Sequence, residues 1–191
     1  MSKKDLIITL PNPHLREKSR KVIAMGPEIH QIIQQMEDAT LDWEDSRPHE
    51  VGVALAAIQI DRAYRIIIVR DNPDDKSDKK FKVLINPKIV KLEGELKEDF
   101  EGCLSITDVY GTVPRYSKIR VRALDENSQE VRIKAEGFLA RVLQHEIDHL
   151  NGTMFIDHIQ NDKSAFYMIS PDGKLEPQNY EQLEASGIFR D

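Results

Sequence analysis

Glu136-Gly137-Phe138-Leu139-Ala140-Arg141-Val142-Leu143-Gln144-His145-Glu146-Ile147-Asp148-His149-Leu150-Asn151-Gly152 is the stretch on which the reading of this chain turns. The spacing predicts a long helix over residues 136–151, closed by Gly152, a residue type favoured just past a helix end. Leu139, Leu143, Ile147 and Leu150 form one stripe and Phe138, Val142, His145 and His149 another, so the helix is expected to be buried on more than one side. Within it, His145-Glu146-Ile147-Asp148-His149 sets two imidazoles four positions apart. At about 100° per residue they differ by about 40° around the axis and about 6 Å along it, so both leave one face and can bind one ion. Glu146 projects to the flank, within reach of a water on the same ion, where it can act as general base. The blander reading is two satisfied core histidines beside a solvated glutamate. A buried helix showing these three groups to a cavity is poorly explained by packing alone.

Upstream of this helix, Ile119, Val121 and Ala123 alternate with Arg120, Arg122 and Leu124, Asp125-Glu126-Asn127-Ser128 turns the chain, and Val131, Ile133 and Ala135 alternate again. This predicts a hairpin with one wet face. Residues 64–69 read as a buried strand, 71–80 as a charged turn region and 81–85 as its partner, with further strands at 89–92 and 95–100. Nearer the N terminus, an extended start at 6–10 meets a turn at Pro11-Asn12-Pro13. An amphipathic helix is expected from Pro27, with Ile29, Ile32, Ile33, Met36 and Trp43 on its inner face, followed by a polar loop at 44–50. Ser170-Pro171-Asp172-Gly173 predicts a late turn in a polar tail to which no role is assigned. Helices and strands do not alternate regularly. The expected class is therefore α+β, with mainly antiparallel sheets packed around the central buried helix that carries the HExxH motif.

The 191 residues, 40% of them apolar, suit a single domain over 1–191. A net charge of -6 gives no basic footprint, so DNA is not an expected partner. One cysteine excludes an internal disulfide. The early apolar run at 6–10 is too short for a signal peptide, and nothing approaches the roughly 20 apolar residues of a membrane span. A cytoplasmic protein without membrane contact is expected.

HExxH alone does not choose an enzyme class, so the third ligand decides. In a metzincin-type protease the third histidine would fall where Phe155 stands, which closes that route. Glu176, Glu181 and Glu184 could imitate the acidic ligand of thermolysin-like enzymes, but they lie in the polar tail. His158 reads as a partly exposed structural residue. Cys103, in Glu101-Gly102-Cys103-Leu104-Ser105, remains. A lone cysteine is most often a small hydrophobe. Here its thiolate would complete a three-ligand set and leave a fourth position for water, as in catalytic rather than structural sites. Gly102 would let the backbone approach closely, and a cysteine nucleophile would leave the HExxH spacing unexplained.

Three segments, Gly52-Val53-Ala54-Leu55-Ala56-Ala57-Ile58-Gln59, Glu101-Gly102-Cys103-Leu104-Ser105 and Gln144-His145-Glu146-Ile147-Asp148-His149, together resemble the peptide deformylase family. The resemblance is strongest over residues 6–157, with 160–191 as a C-terminal extension. It implies metal-dependent removal of the formyl group from the N-terminal formylmethionine of newly made polypeptides, releasing formate. By matching position, Cys103, His145 and His149 would hold the metal. Glu146 would handle the proton, while the Gln59 amide and the Leu104 N–H would hold the oxyanion. The peptide would lie extended beside Val53 and Ala54, near Gly102 and Tyr110, with methionine in an apolar pocket formed by Val53, Val142 and the His145 ring. The resemblance favours Fe²⁺ in the cell, and the donor set also suits Zn²⁺, Ni²⁺ or Co²⁺. Formylated nascent polypeptides are the implied partners, with transient proximity to the ribosome. The alternatives are an HExxH metallopeptidase cutting internal bonds and a catalytically weakened metal or formyl-peptide binder.

Three positions depart from the family pattern: Ala54 stands where glycine is usual, Ile58 where proline or a small residue is common, and Thr107 for a common proline. The Ala54 methyl is expected to crowd the substrate backbone or to exclude positive φ. Glu101 is the expected partner of one metal-binding histidine, and Asp148 with Arg115 an expected ion pair.

Overall fold

A computed structural model describes residues 2–189 of the chain. Helix α1 (Pro27–Asp45) starts where proline fits the first helical position and turns Ile29, Ile32, Ile33 and Met36 inward, as their spacing predicts. Behind it the chain enters β1 (Ala54–Ala56) and, through a 3₁₀ turn at Ala57–Ile60, reaches β2 (Ile66–Arg70). Ile66 and Ile68 face the cluster around α1, while Ile67 and Val69 face a second cluster on the opposite side. Burial on both faces explains why this strand shows a continuous apolar run rather than alternation.

Strands β3 (Phe81–Cys103) and β4 (Ile106–Leu124) form a long hairpin closed by the two-residue turn Leu104-Ser105. The sheet order is β1-β2-β3-β4, continued by β6 (Phe166–Ile169) and β7 (Leu175–Pro177), while β5 (Glu130–Glu136) pairs with the far end of β4. These neighbours are all antiparallel. The hairpin expected around residues 125–128 is thus present as β4 and β5.

Three expected strands at 81–85, 89–92 and 95–100 are instead one strand, β3. Its register shifts at Ile85/Lys88, Ile89/Lys91 and Glu93/Leu96, and Asn86 and Gly94 have positive φ. Pro87 and Gly94 look like breakers in the sequence, but bulges absorb them and bend the strand without ending its pairing to β4. The extended start is also revised. Lys3–Leu6 is a 3₁₀ turn, after which Ile8 N–H donates to Gln59 O and Leu10 N–H to Ser105 O, pairing without a regular strand.

Helix α2 (Gly137–His149) packs Ala140, Leu143 and Ile147 against the cluster of Ala54, Ile67, Val69, Ile119 and Val121. Its first turn projects: Phe138 and Leu139 are 57% and 40% exposed, so the two expected stripes are buried only from Ala140 onward. Gly152 closes the helix with φ +74, and a Cβ there would lie 2.3 Å from Arg16 O, so glycine is required. A third cluster joins Leu15, Ile106, Val113 and Phe155 to Phe166 and Leu183. Leu183 lies on the short helix α3 (Tyr180–Ala185), so the polar tail is anchored by a few buried residues. No helix among the described residues is long and apolar enough to cross a membrane.

Candidate active site

Cys103 ends β3 and pairs with Ile106 across the tight turn. His145 and His149 reach the same point from α2, and the ligand atoms of all three lie within 4.8 Å of one another. The two Nε2 atoms are 3.1 Å apart, and Cys103 Sγ is 3.3 Å from His149 Nε2. Bonds of about 2.0–2.3 Å in a tetrahedral site set ligand atoms about 3.3–3.8 Å apart, so the cluster matches a single small divalent cation. One thiolate and two imidazoles are also a donor set that selects transition metals over calcium or magnesium.

The orientation of His145 has a visible cause. Its Nδ1 lies 3.0 Å from Glu101 Oε2, which leaves Nε2 for the cluster. Both oxygens of Glu101 are shared: Oε1 accepts from Arg115 Nε (2.9 Å) and Arg141 Nη1 (2.7 Å), and Oε2 also accepts from Arg115 Nη2 (3.0 Å). Burial opposes the charge on Glu101, but His145 and Arg115 outweigh it and hold the carboxyl well below the usual range. Arg115 extends the chain to Asp148 Oδ2 at 2.5 Å, and His158 meets the same oxygen at 2.7 Å. Glu101 and Asp148 therefore have the expected partners, and His158 is an exposed member of the ion-pair network. Burial opposes protonation of His145, yet Cys103 and Glu101 raise its pKa well above normal; burial and then the charge on His145 push His149 well below.

Gln59 lies on the 3₁₀ turn after β1. Its Oε1 accepts the Ala56 N–H at 2.8 Å, which turns the amide NH₂ toward the cluster, 3.5 Å from Cys103 Sγ and 3.1 Å from Ser105 Oγ. Glu146 is 5% exposed, its Oε2 has no hydrogen-bond partner among the described residues, and burial pushes its carboxyl up to about 7. A buried carboxyl without a partner is costly in a merely structural role. Beside a cavity it is a group ready to exchange protons near neutral pH.

That cavity holds about 350 Å³. Val53, Ala54 and Gln59 line it from the β1 side, Gly102, Cys103, Leu104 and Tyr110 from the β3–β4 turn, and Val142, His145 and Glu146 from α2. His149 stands behind them, fully buried. A Cβ on Gly102 would lie 2.6 Å from Cε1 of Tyr110, so the glycine makes room for that ring. The Tyr110 hydroxyl donates to Glu50 at 2.5 Å. Ala54 has ordinary extended backbone within β1, paired with Val69, and is not among the positive-φ residues, so only the crowding half of the expectation at this position stands. Phe155 stacks beside the His145 ring at 6.1 Å, while Glu176, Glu181 and Glu184 are exposed and outside the cluster. Sequence reasoning missed Arg141, Ser105 and Glu50. Arg141 precedes His145 by one helical turn and so lies on the same side of α2.

The sequence profile of the polypeptide deformylase family matches residues 4–165. A peptide deformylase of Thermomicrobium roseum is 41% identical over 165 residues, covering 85% of this chain and 89% of that protein. Among solved structures, a peptide deformylase from Synechococcus elongatus in complex with actinonin aligns with a TM-score of 0.74 at 36% identity, over 82% of this chain and 80% of that one. A peptide deformylase from Legionella pneumophila aligns with a TM-score of 0.70 at 39% identity, over 80% and 83% of the respective chains.

Proposed function

We propose a mechanism from one premise: this chain belongs to the polypeptide deformylase family, and it is a metal-dependent hydrolase that removes the N-formyl group from nascent polypeptides. The observation that carries the assignment of roles is the convergence of Cys103, His145 and His149 beside the oriented amide of Gln59. In this reading those three side chains hold one divalent ion, Fe²⁺ in the cell, with Zn²⁺, Ni²⁺ or Co²⁺ accepted by the same donors. The ion supplies Lewis acidity, which polarises a carbonyl and makes water acidic near neutral pH.

The chain's own groups do the rest. The peptide lies extended along Val53 and Ala54, where main-chain pairing tolerates many sequences, and its methionine fills the apolar space beside Val53, Val142 and the His145 ring. Gly102 and Tyr110 shape the opposite wall. Glu146 accepts a proton from the water that adds to the formyl carbon. Gln59 Nε2 and the Leu104 N–H donate to the negative charge that develops on the formyl oxygen; one such donor is worth roughly 10²–10³ in rate. Glu146 then gives its proton to the amine nitrogen as the C–N bond breaks, so formate and a free N terminus leave and Glu146 returns to its starting state. Residues 1–191 act as one catalytic domain in this reading, in the cytoplasm and transiently near the ribosome, where its substrates arise.

Protein purified anaerobically with Fe²⁺ or Ni²⁺ is expected to release formate from formyl-Met-Ala-Ser. The Glu146→Ala variant is expected to keep its metal, measured by elemental analysis, while kcat falls by at least about 10²-fold. Full activity in that variant would remove Glu146 from its role. A fully loaded wild type that releases no formate would favour a binding protein, and cleavage of internal bonds would favour a peptidase.

A further inference from the structure

We propose that Arg141 is a positioning residue that ties α2 to β3 and so presets the placement of the two histidines relative to Cys103. The inference rests on the reading that these three side chains hold a metal. The ligands come from two elements, so their geometry depends on how firmly the helix is fixed to the strand. Helix α2 is joined to β4 by Gln144, which accepts the Tyr116 N–H at 3.1 Å and donates to Tyr116 O at 2.9 Å, and by the ion pair between Asp148 and Arg115. The first stays on β4, and the second meets the strand that carries Cys103 only indirectly, through the bridge from Arg115 to Glu101.

Arg141 does reach it. The side chain leaves α2 one turn before His145, and its Nη2 donates to Lys97 O at 2.6 Å. Its Nη1 donates to Glu101 Oε1 at 2.7 Å and to Val113 O of β4 at 2.7 Å, and lies 3.4 Å from Asp99 O. Lys97 and Asp99 pair with β4 on one side, and β2 pairs with β3 only as far as Ile85, so the guanidinium caps main-chain carbonyls along an otherwise open stretch of β3. The residue is 7% exposed, and a buried cation persists only where its donors are used. The other direct hydrogen-bond contacts from α2 to β3 among the described residues are those of His145 to Glu101 and of His149 to Cys103. Without Arg141, the direct polar ties of the helix to this strand would be two imidazoles that are themselves ligands, with Arg115 as an indirect bridge between Asp148 and Glu101. A lysine restores the charge but not the planar fork that spans several acceptors.

The test is the rate at which Zn²⁺-loaded protein releases metal to a chromophoric chelator, together with the visible spectrum of Co²⁺-loaded protein. Arg141→Met is expected to release metal about 10-fold faster or more, and to alter the Co²⁺ bands, while its far-ultraviolet circular dichroism stays native. Arg141→Lys is expected to fall between this variant and wild type. Arg70→Met, which breaks a buried ion pair away from the cluster, is expected to lower stability and release metal at the wild-type rate. A folded Arg141→Met with wild-type release and spectrum would overturn the inference alone, as would Arg70→Met accelerating release equally. Should Arg141→Met fail to fold, Arg141→Lys decides: faster release upholds the inference and wild-type release overturns it. A wild type that retains no metal would overturn the reading of the ligands and the inference with it.

Discussion

Two buried carboxylates, Glu44 and Glu101, share the same ingredients and do different work. Both are almost fully buried, and both are paired with arginine. Glu101 accepts two hydrogen bonds on each oxygen, from two arginines and His145, so its position is fixed in every direction. Glu44, at the end of α1, has looser company. Its Oε2 accepts the Gly52 N–H at 2.9 Å and sits 2.8 Å from Arg70 Nη1, and Oε1 meets the half-exposed Lys79 at 3.4 Å. The nitrogens of Arg70 make no well-formed hydrogen bond among the described residues, and its guanidinium lies 5.6 Å from the centre of the Phe81 ring. Glu44 thus tethers the loop that leads into β1, whereas Glu101 sets the direction of an imidazole. Full hydrogen bonding of a buried charge marks the cluster where geometry matters to chemistry; a buried pair with spare donors marks one that holds the chain together.

The largest effect on metal binding should come from breaking the tighter cluster. Glu101→Gln replaces an acceptor of four hydrogen bonds by a group that can no longer meet both arginines, and metal affinity is expected to fall about 10- to 100-fold, measured by chelator competition. Unchanged affinity would mean that the direction of His145 is set by packing. The looser cluster should respond differently. Arg70→Met leaves Glu44 buried with only a half-exposed lysine, and thermal or urea unfolding is expected to show a loss of about 3–5 kcal/mol, with metal affinity preserved. A loss of metal there would erase the distinction between the two clusters.

The Glu101 side of this contrast was largely readable in the sequence, and the Glu44 side was not. The 3.6-residue period of α1 survives because one side of that helix faces solvent, and His145, Glu146 and His149 are readable because their spacing has few uses besides a metal. The histidine partner of Glu101 followed from the general need of a ligating histidine for an oxygen acceptor, and Asp148 was expected beside it in a structural ion pair with Arg115. The length of β3 was not readable, since bulges turn Pro87 and Gly94 from breakers into bends, and bulges depend on β4 as partner. Phe166 and Leu183 were hidden because single buried anchors in a polar tail have no period. Arg141 was hidden for the opposite reason: an arginine on a helix normally reads as solvent-facing, and all its acceptors but Glu101 are main-chain carbonyls that carry no side-chain signal. Glu44 was lost for the same cause, placed in a polar loop although it is the inward-facing end of a helix.

The smallest effect, in acid, separates the two carboxylates by what each contributes to folding. Burial raises the pKa of Glu44, but the Gly52 N–H, Arg70 and Lys79 outweigh it and bring the value below its ordinary 4.5. A carboxylate with a folded value below its unfolded one contributes stability that is fully present above the unfolded value and is lost as pH falls through the folded one. Metal-free wild type should therefore lose stability as pH drops below about 4.5, in part through Glu44. Glu44→Gln should be less stable at neutral pH and also less steep in acid, because its amide takes up no proton. Urea unfolding of metal-free protein at several pH values between 3 and 6 would measure both. Parallel curves for variant and wild type would show that the acid sensitivity comes from elsewhere, with Glu101 the first group to test, because its carboxyl is held lower still, so its contribution shrinks over a longer span of pH below about 4.5.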